Sequence, residues 1–258
     1  MRALALACMG LLLALPAVAA DYVALPGGRF TSVLPADGKA AAVQVAPFRL
    51  RTELVTNAEF LAFVKAHPQW QRDKVARILA DARYLTQWTS ADTLGDEVLP
   101  RQPVTRVSWF AAQAYCESEQ ARLPSWYEWE FAAAADATRR DARADPAWRE
   151  SILGWYSRPS STALPEIGGA ANVYGVHDIN GLVWEWVDDF NALMVASDSR
   201  DQGDPDLLKF CGAGALSMQQ KENYAVLMRI AMLSALKAAD TTNNMGFRCA
   251  KSGRGPTS

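Results

Sequence analysis

The sequence predicts a coil-rich α+β domain, and three observations carry that expectation. Capped, amphipathic helical stretches and short β-patterned runs both occur along the chain. They do not alternate as the strand–helix–strand units of a parallel sheet would. No segment repeats with a period of roughly 20–50 residues, which disfavours a propeller or a solenoid. With 258 residues, half of them hydrophobic, and Trp, Pro and Gly spread evenly, the chain reads as one domain over residues 21–258 behind a signal peptide at 1–20.

The elements follow in order. Met1 and Arg2 precede ALALACMGLLLALPAVAA and then Asp21. One cation, an apolar run and small residues before a polar one describe a secretory signal cut after Ala19 or Ala20, too short to span a bilayer comfortably. An uncleaved N-terminal anchor is the alternative reading. Cleavage removes Cys8 and leaves no membrane span, so the mature protein is expected in the periplasm or outside the cell. There Cys116, Cys211 and Cys249 can form at most one internal disulfide, with one thiol left over. VALPGGRF (23–30) reads as strand, Pro-Gly-Gly turn and strand, and VQVAPFRL (43–50) as one further strand. Thr56 and Glu59 form a capping box for a helix through about Ala66, and KVARILADARYL (74–85) reads as a second helix. VTRVS is a short strand ending on Ser108, the N-cap of WFAAQAYCESEQA. Leu123-Pro124 interrupts before Ser125 and Glu128 cap WYEWEFAAAAD. Residues 136–170 read as loop with a short helix. From Asn172 onward short apolar runs alternate with turn residues, and MGFRCA reads as a closing strand.

Composition excludes several chemistries. A net charge of -2 without a Lys/Arg run gives no footprint for nucleic acid. Two histidines, His67 and His177, cannot build a His-rich zinc or three-His iron site, and His177 reads as a loop residue. No G-x-S-x-G, GxGxxG or P-loop occurs, and CGAGAL (211–216) lacks the helical start and Lys that phosphate binding needs. What remains is DINGLVWEWVDD (178–189), which offers oxygen ligands. Asp178 and Glu185 carry carboxylates, and a turn at Gly181 could aim carbonyls at a common centre, as a hard cation such as Ca2+ favours. The other reading is a half-buried strand with Trp184 and Trp186 inward and Glu185 paired to an arginine. Spacing leaves both open.

Six stretches, VALPGGRF, APFRLRTELVTNAEFLAFV, QPVTRVSWFAAQAYC, ARLPSWYEWEFAAA, NVYGVHDINGLVWEW and NMGFRCA, together resemble the sulfatase-modifying factor family of formylglycine-generating enzymes. They keep the family's order and cover Val23 to Lys251. The resemblance implies a coil-rich α+β domain distantly like C-type lectins. It implies a structural Ca2+ held by the Asp178 and Glu185 side chains and the Gly181 and Val183 carbonyls, and a Cys116–Cys249 disulfide. A second family disulfide corresponds to Ala133 and Ile230, both lost together. The two cysteines that bind copper(I) and make formylglycine correspond to Gln220 and Ala225, whereas a pocket Ser217, Tyr224 and Arg229 match. Soft thiolates hold Cu(I), so their loss argues against a cysteine-to-formylglycine converter. The chain is more similar to the divergent exported members, the pyoverdine-maturation and nitrite-reduction-associated proteins. Two functions are therefore expected. One is an oxidase or maturation factor acting on a small molecule or peptide, with Cys211, Ser217, Tyr224 and Arg229 as catalytic candidates and copper or iron left open. The other is a non-catalytic accessory protein that holds a periplasmic partner during maturation of a metalloenzyme. A third, weaker idea is copper handling by Cys211 with Met218, Met228 and Met232, against which scattered Met in a helical stretch is commonly core packing.

Overall fold

The computed structural model describes residues 20–33, 42–159, 163–191 and 224–253. Three small sheets are joined by helices and long irregular segments. Strand β1 (Tyr22–Leu25) and β4 (Phe48–Arg51) pair antiparallel, and β7 (Ala250–Ser252) adds to the other side of β4, so the first and last strands share one sheet. Strand β2 (Gly28–Thr31) pairs with β3 (Ala42–Val45) in a second, antiparallel sheet. The chain crosses between them at Gly27, whose φ is +63 and where a Cβ would stand 2.3 Å from the Val45 carbonyl oxygen. VQVAPFRL is thus two strands rather than the one expected. Pro47 has no N–H for a ladder, and it divides the run between the two sheets.

Helix α1 (Asn57–Ala66) carries the full Thr56/Glu59 capping box. No helix follows over 74–85, and this corrects the expectation. Ile78 is 79% exposed, so the segment has no continuous buried stripe. Side chains take over the backbone instead: Arg72 donates to the carbonyls of Leu85, Trp88 and Thr89, Asp81 accepts from the Arg83 N–H and the Thr241 hydroxyl, and Leu85 turns left-handed at φ 50. VTRVS is not a strand either. Arg106 sits at φ 55 and donates its N–H to the Thr242 carbonyl, which breaks the extended run.

Helices α2 (Trp109–Ser118) and α3 (Trp126–Ala133) start on Ser108 and Ser125, the latter with its capping box, and α3 ends before the AAD expected to continue it. Helix α4 (Pro146–Tyr156) lies in the stretch read as loop with a short helix. Strand β5 (Trp184–Glu185) runs parallel to β6 (Met245–Gly246), so MGFRCA serves two sheets in succession. Between them comes α5 (Tyr224–Ser234), which touches α4. The core gathers Leu50, Phe60, Trp126, Trp186, Leu233 and Phe247, and it includes Ala133 and Ile230. Among the described residues no helix is long and apolar enough to cross a membrane.

Candidate functional site

Asp178 stands at φ 58, and its carboxylate accepts the N–H groups of Gly168 at 2.9 Å and Gly169 at 3.1 Å. A Cβ on Gly169 would lie 2.3 Å from Asp178 Oδ1, so the carboxylate fits only against a glycine. The Gly181 N–H donates to the Asp178 carbonyl and closes the turn. Glu185, seven residues on, is wholly buried. Its two oxygens accept from Arg248 Nε at 2.8 Å and Nη2 at 3.1 Å, and Arg248 also donates to the Thr52 and His177 carbonyls. A carboxylate between two indoles is thus compensated by an arginine from the closing segment. Trp186 is buried and donates Nε1–H to the Val107 carbonyl, while Trp184, half-buried, stacks on Tyr156 with centroids 4.8 Å apart. The His177 Nδ1 meets the Gly169 carbonyl, so this residue serves the loop.

Among the described residues no group of three or more His, Cys, Asp or Glu converges as a metal site. The expected calcium set needs only two such residues. The Gly181 and Val183 carbonyls accept no hydrogen bond from the described backbone. The Asp178 oxygens already accept the Gly168 and Gly169 N–H groups and both Glu185 oxygens accept from Arg248, so a cation here would share its carboxylates with those donors.

A second locus lies behind Glu185. Arg229 on α5 is 2% exposed, places its guanidinium 3.4 Å over the Trp129 ring, and donates Nη2–H to the Glu185 carbonyl at 2.6 Å. Among the described residues its Nε has no acceptor. Burial pushes this guanidinium down to about 10, with Arg248 adding repulsion while Glu185 and Tyr156 oppose it, so it stays charged at neutral pH. Arg229 closes a cavity between α3, α4 and α5 whose walls include Trp129, Glu130, Trp148, Ile152 and Tyr156. Glu130 is buried, and its carboxylate accepts from the Ser32 hydroxyl and the Val33 N–H. Burial raises its pKa, against the lowering effect of those two donors and of Arg143. Trp155, Tyr156 and Trp184, all half-buried, form an aromatic cluster beside the cavity.

Of the four catalytic candidates, only Arg229 has a described side chain; Tyr224 opens α5, and Cys211 and Ser217 lie outside the described residues, as does Met218. Met228 is exposed, whereas Met232 packs on the core. Cys116 and Cys249 are joined by a disulfide. Sequence reasoning did not single out Arg248, Trp129, Glu130 or Tyr156. Arg248 was visible only as part of GFRC, and its partner stands 63 residues away.

A family model, described as the sulfatase-modifying factor enzyme 1-like domain, matches residues 14–253. A formylglycine-generating enzyme of Streptomyces coelicolor is 28% identical over 88% of this chain and 88% of its own. A hercynine oxygenase of Mycolicibacterium smegmatis is 29% identical over 66% of this chain, which spans 46% of that enzyme's length. An inactive C-alpha-formylglycine-generating enzyme 2 of Mus musculus is 27% identical over 91% of this chain and 86% of its own. A match over residues 14–253, which takes in β1, β7, the Asp178 turn and the closing GFRC, shows that the chain belongs to the sulfatase-modifying factor enzyme 1-like family.

Proposed function

We propose that this family member is an exported oxidase or maturation factor that acts on a small molecule or peptide and does not convert cysteine to formylglycine. The observation that carries the reading is Arg229, buried and charged at the head of an aromatic-walled cavity, on a helix whose family cysteine position is Ala225. A hercynine oxygenase among the relatives supports oxygen chemistry other than formylglycine formation. The site lies along α5, with Tyr224 and Arg229 on the helix and Ser217 and Cys211 upstream in sequence. Copper or iron, when bound, would supply the redox capacity. The protein's own residues bind and orient the substrate.

The test incubates purified protein with oxygen and either a cysteine-containing peptide or the small-molecule fraction secreted by the source cells, with oxygen uptake, mass spectrometry and metal analysis as readouts. Oxidation of a small molecule with matching oxygen uptake and an intact peptide cysteine is expected; an aldehyde on the peptide overturns the reading. The second reading, a non-catalytic accessory for a periplasmic metalloenzyme, is favoured by Gln220 and Ala225 at the cysteine positions and by an inactive relative. Substrate binding without oxygen uptake would decide for it.

The segment with Asp178, Gly181, Val183 and Glu185 is proposed as a structural Ca2+ site, supported by the Gly181 and Val183 carbonyls, which have no backbone donor among the described residues. Calcium should raise Tm by roughly 2–4 °C over chelator-treated protein, since a native-state ligand stabilises by mass action. An unchanged Tm together with no bound calcium by elemental analysis removes the site. Export is supported by the Met1–Ala20 pattern and by the Cys116–Cys249 disulfide, which suits an oxidising compartment.

A further inference from the structure

Around β5 two buried guanidinium groups lie near one buried carboxylate. Glu185 gives both side-chain oxygens to Arg248, and Arg229 reaches only the Glu185 main-chain carbonyl. The other carboxyl on the cavity wall, Glu130, is taken up by Ser32 and Val33. Asp178 is held by the Gly168 and Gly169 N–H groups. Among the described residues, then, the charge of Arg229 has no carboxylate partner of its own, although it is 2% exposed. Among the described residues two buried donors of residues lining this cavity, Arg229 Nε and Trp129 Nε1, have no acceptor. The Trp129 face attracts the cation but accepts nothing from the in-plane Nε–H. Buried polar groups without partners are uncommon in native proteins, and an uncompensated buried charge is the costliest kind.

We propose that the cavity between α3, α4 and α5 is a subsite for the carboxylate of a small organic acid, with Arg229 as its counterion. Its free volume of about 10 Å3 holds one water-sized group, so a single carboxylate oxygen fits at the floor and a phosphate does not. One uncompensated positive charge likewise calls for a monoanion. The rest of the acid exceeds that volume and stays at the cavity mouth, where the half-buried rings of Trp148 and Tyr156 form an apolar border. The substrate class this implies for α5 is a carboxylic acid with an apolar or aromatic body. The assignment rests on reading α5 as part of the substrate site, but its test reads binding alone, so absent turnover leaves it intact.

The probe is sodium acetate, titrated at pH 7 into the mature protein against sodium chloride of equal ionic strength, with sodium phosphate in parallel. Tryptophan emission and Tm are the readouts. A saturable change in emission from the Trp129 environment is expected, with Tm raised by roughly 2–4 °C at saturation and no such response to phosphate. Arg229→Met should weaken acetate binding about tenfold or more while Arg229→Lys, which keeps the charge, retains part of it. The wild-type titration decides even if a variant fails to fold. No acetate-specific response means the charge is met by water or from within the chain, and overturns the proposal. So does an equal response to phosphate, or an acetate response unchanged in folded Arg229→Met.

Discussion

Glu185 loses its whole hydration shell on folding, and Arg248 is what makes that tolerable. The guanidinium spends four donors at once, on both Glu185 oxygens and on the Thr52 and His177 carbonyls, so it ties β5, the strand-end loop after β4 and the Asp178 turn into one body. Removing one partner of such a pair strands the other charge in the interior. Arg248→Met should therefore cost about 3–5 kcal/mol in urea unfolding, and adding Glu185→Gln should restore part of it, because the double variant no longer buries a lone ion. A double variant less stable than the sum of the singles would contradict this. At Arg229 the same reasoning runs the other way: the charge is buried first and its partner is sought.

At the scale of elements, the three helix starts that precede the cavity are local constructions. In α3 the Ser125 hydroxyl accepts the Glu128 N–H, and Glu128 accepts the Ser125 N–H and pairs with Arg122 through two bonds of 2.6 and 2.7 Å. This cap sets the phase of α3 and so points Trp129 and Glu130 at the cavity. Ser125→Ala should destabilise by about 1 kcal/mol in thermal unfolding, and no effect would show that packing of Trp126 and Trp129 alone holds the helix. Thr56, Ser108 and Ser125 were legible because a cap is written within four residues. The segment 74–85 was not legible as irregular, because Asp81 is recruited by Thr241 across 160 residues and no local pattern announces that. VQVAPFRL carried its own correction in Pro47.

At the scale of the molecule, long irregular segments are held by closure of the chain on itself. Strand β7 completes the sheet begun by β1 and β4, and the Cys116–Cys249 disulfide closes a separation of 133 residues between α2 and the approach to β7. A cross-link over so long a loop restricts the unfolded chain strongly. The Cys116→Ala/Cys249→Ala variant should lose roughly 2–5 kcal/mol and lower the urea midpoint without changing the family fold. Reductant should shift wild-type protein likewise and leave the variant unmoved. If reductant also shifts the variant, a bond other than Cys116–Cys249 contributes.

The sequence by itself determined the fold class, the helix caps, the family and the turn from Asp178 to Gly181, since each is carried by residues close in the chain or by motifs kept in order. Tertiary structure alone decided that Glu185 meets Arg248, that Arg229 lies on Trp129 without a carboxylate of its own, and that residues 74–85 are not a helix. The physical reason is common to all three. A buried charge or an open backbone group is satisfied by whichever partner the packed chain brings within about 3 Å, and that partner's distance along the sequence leaves no periodic trace.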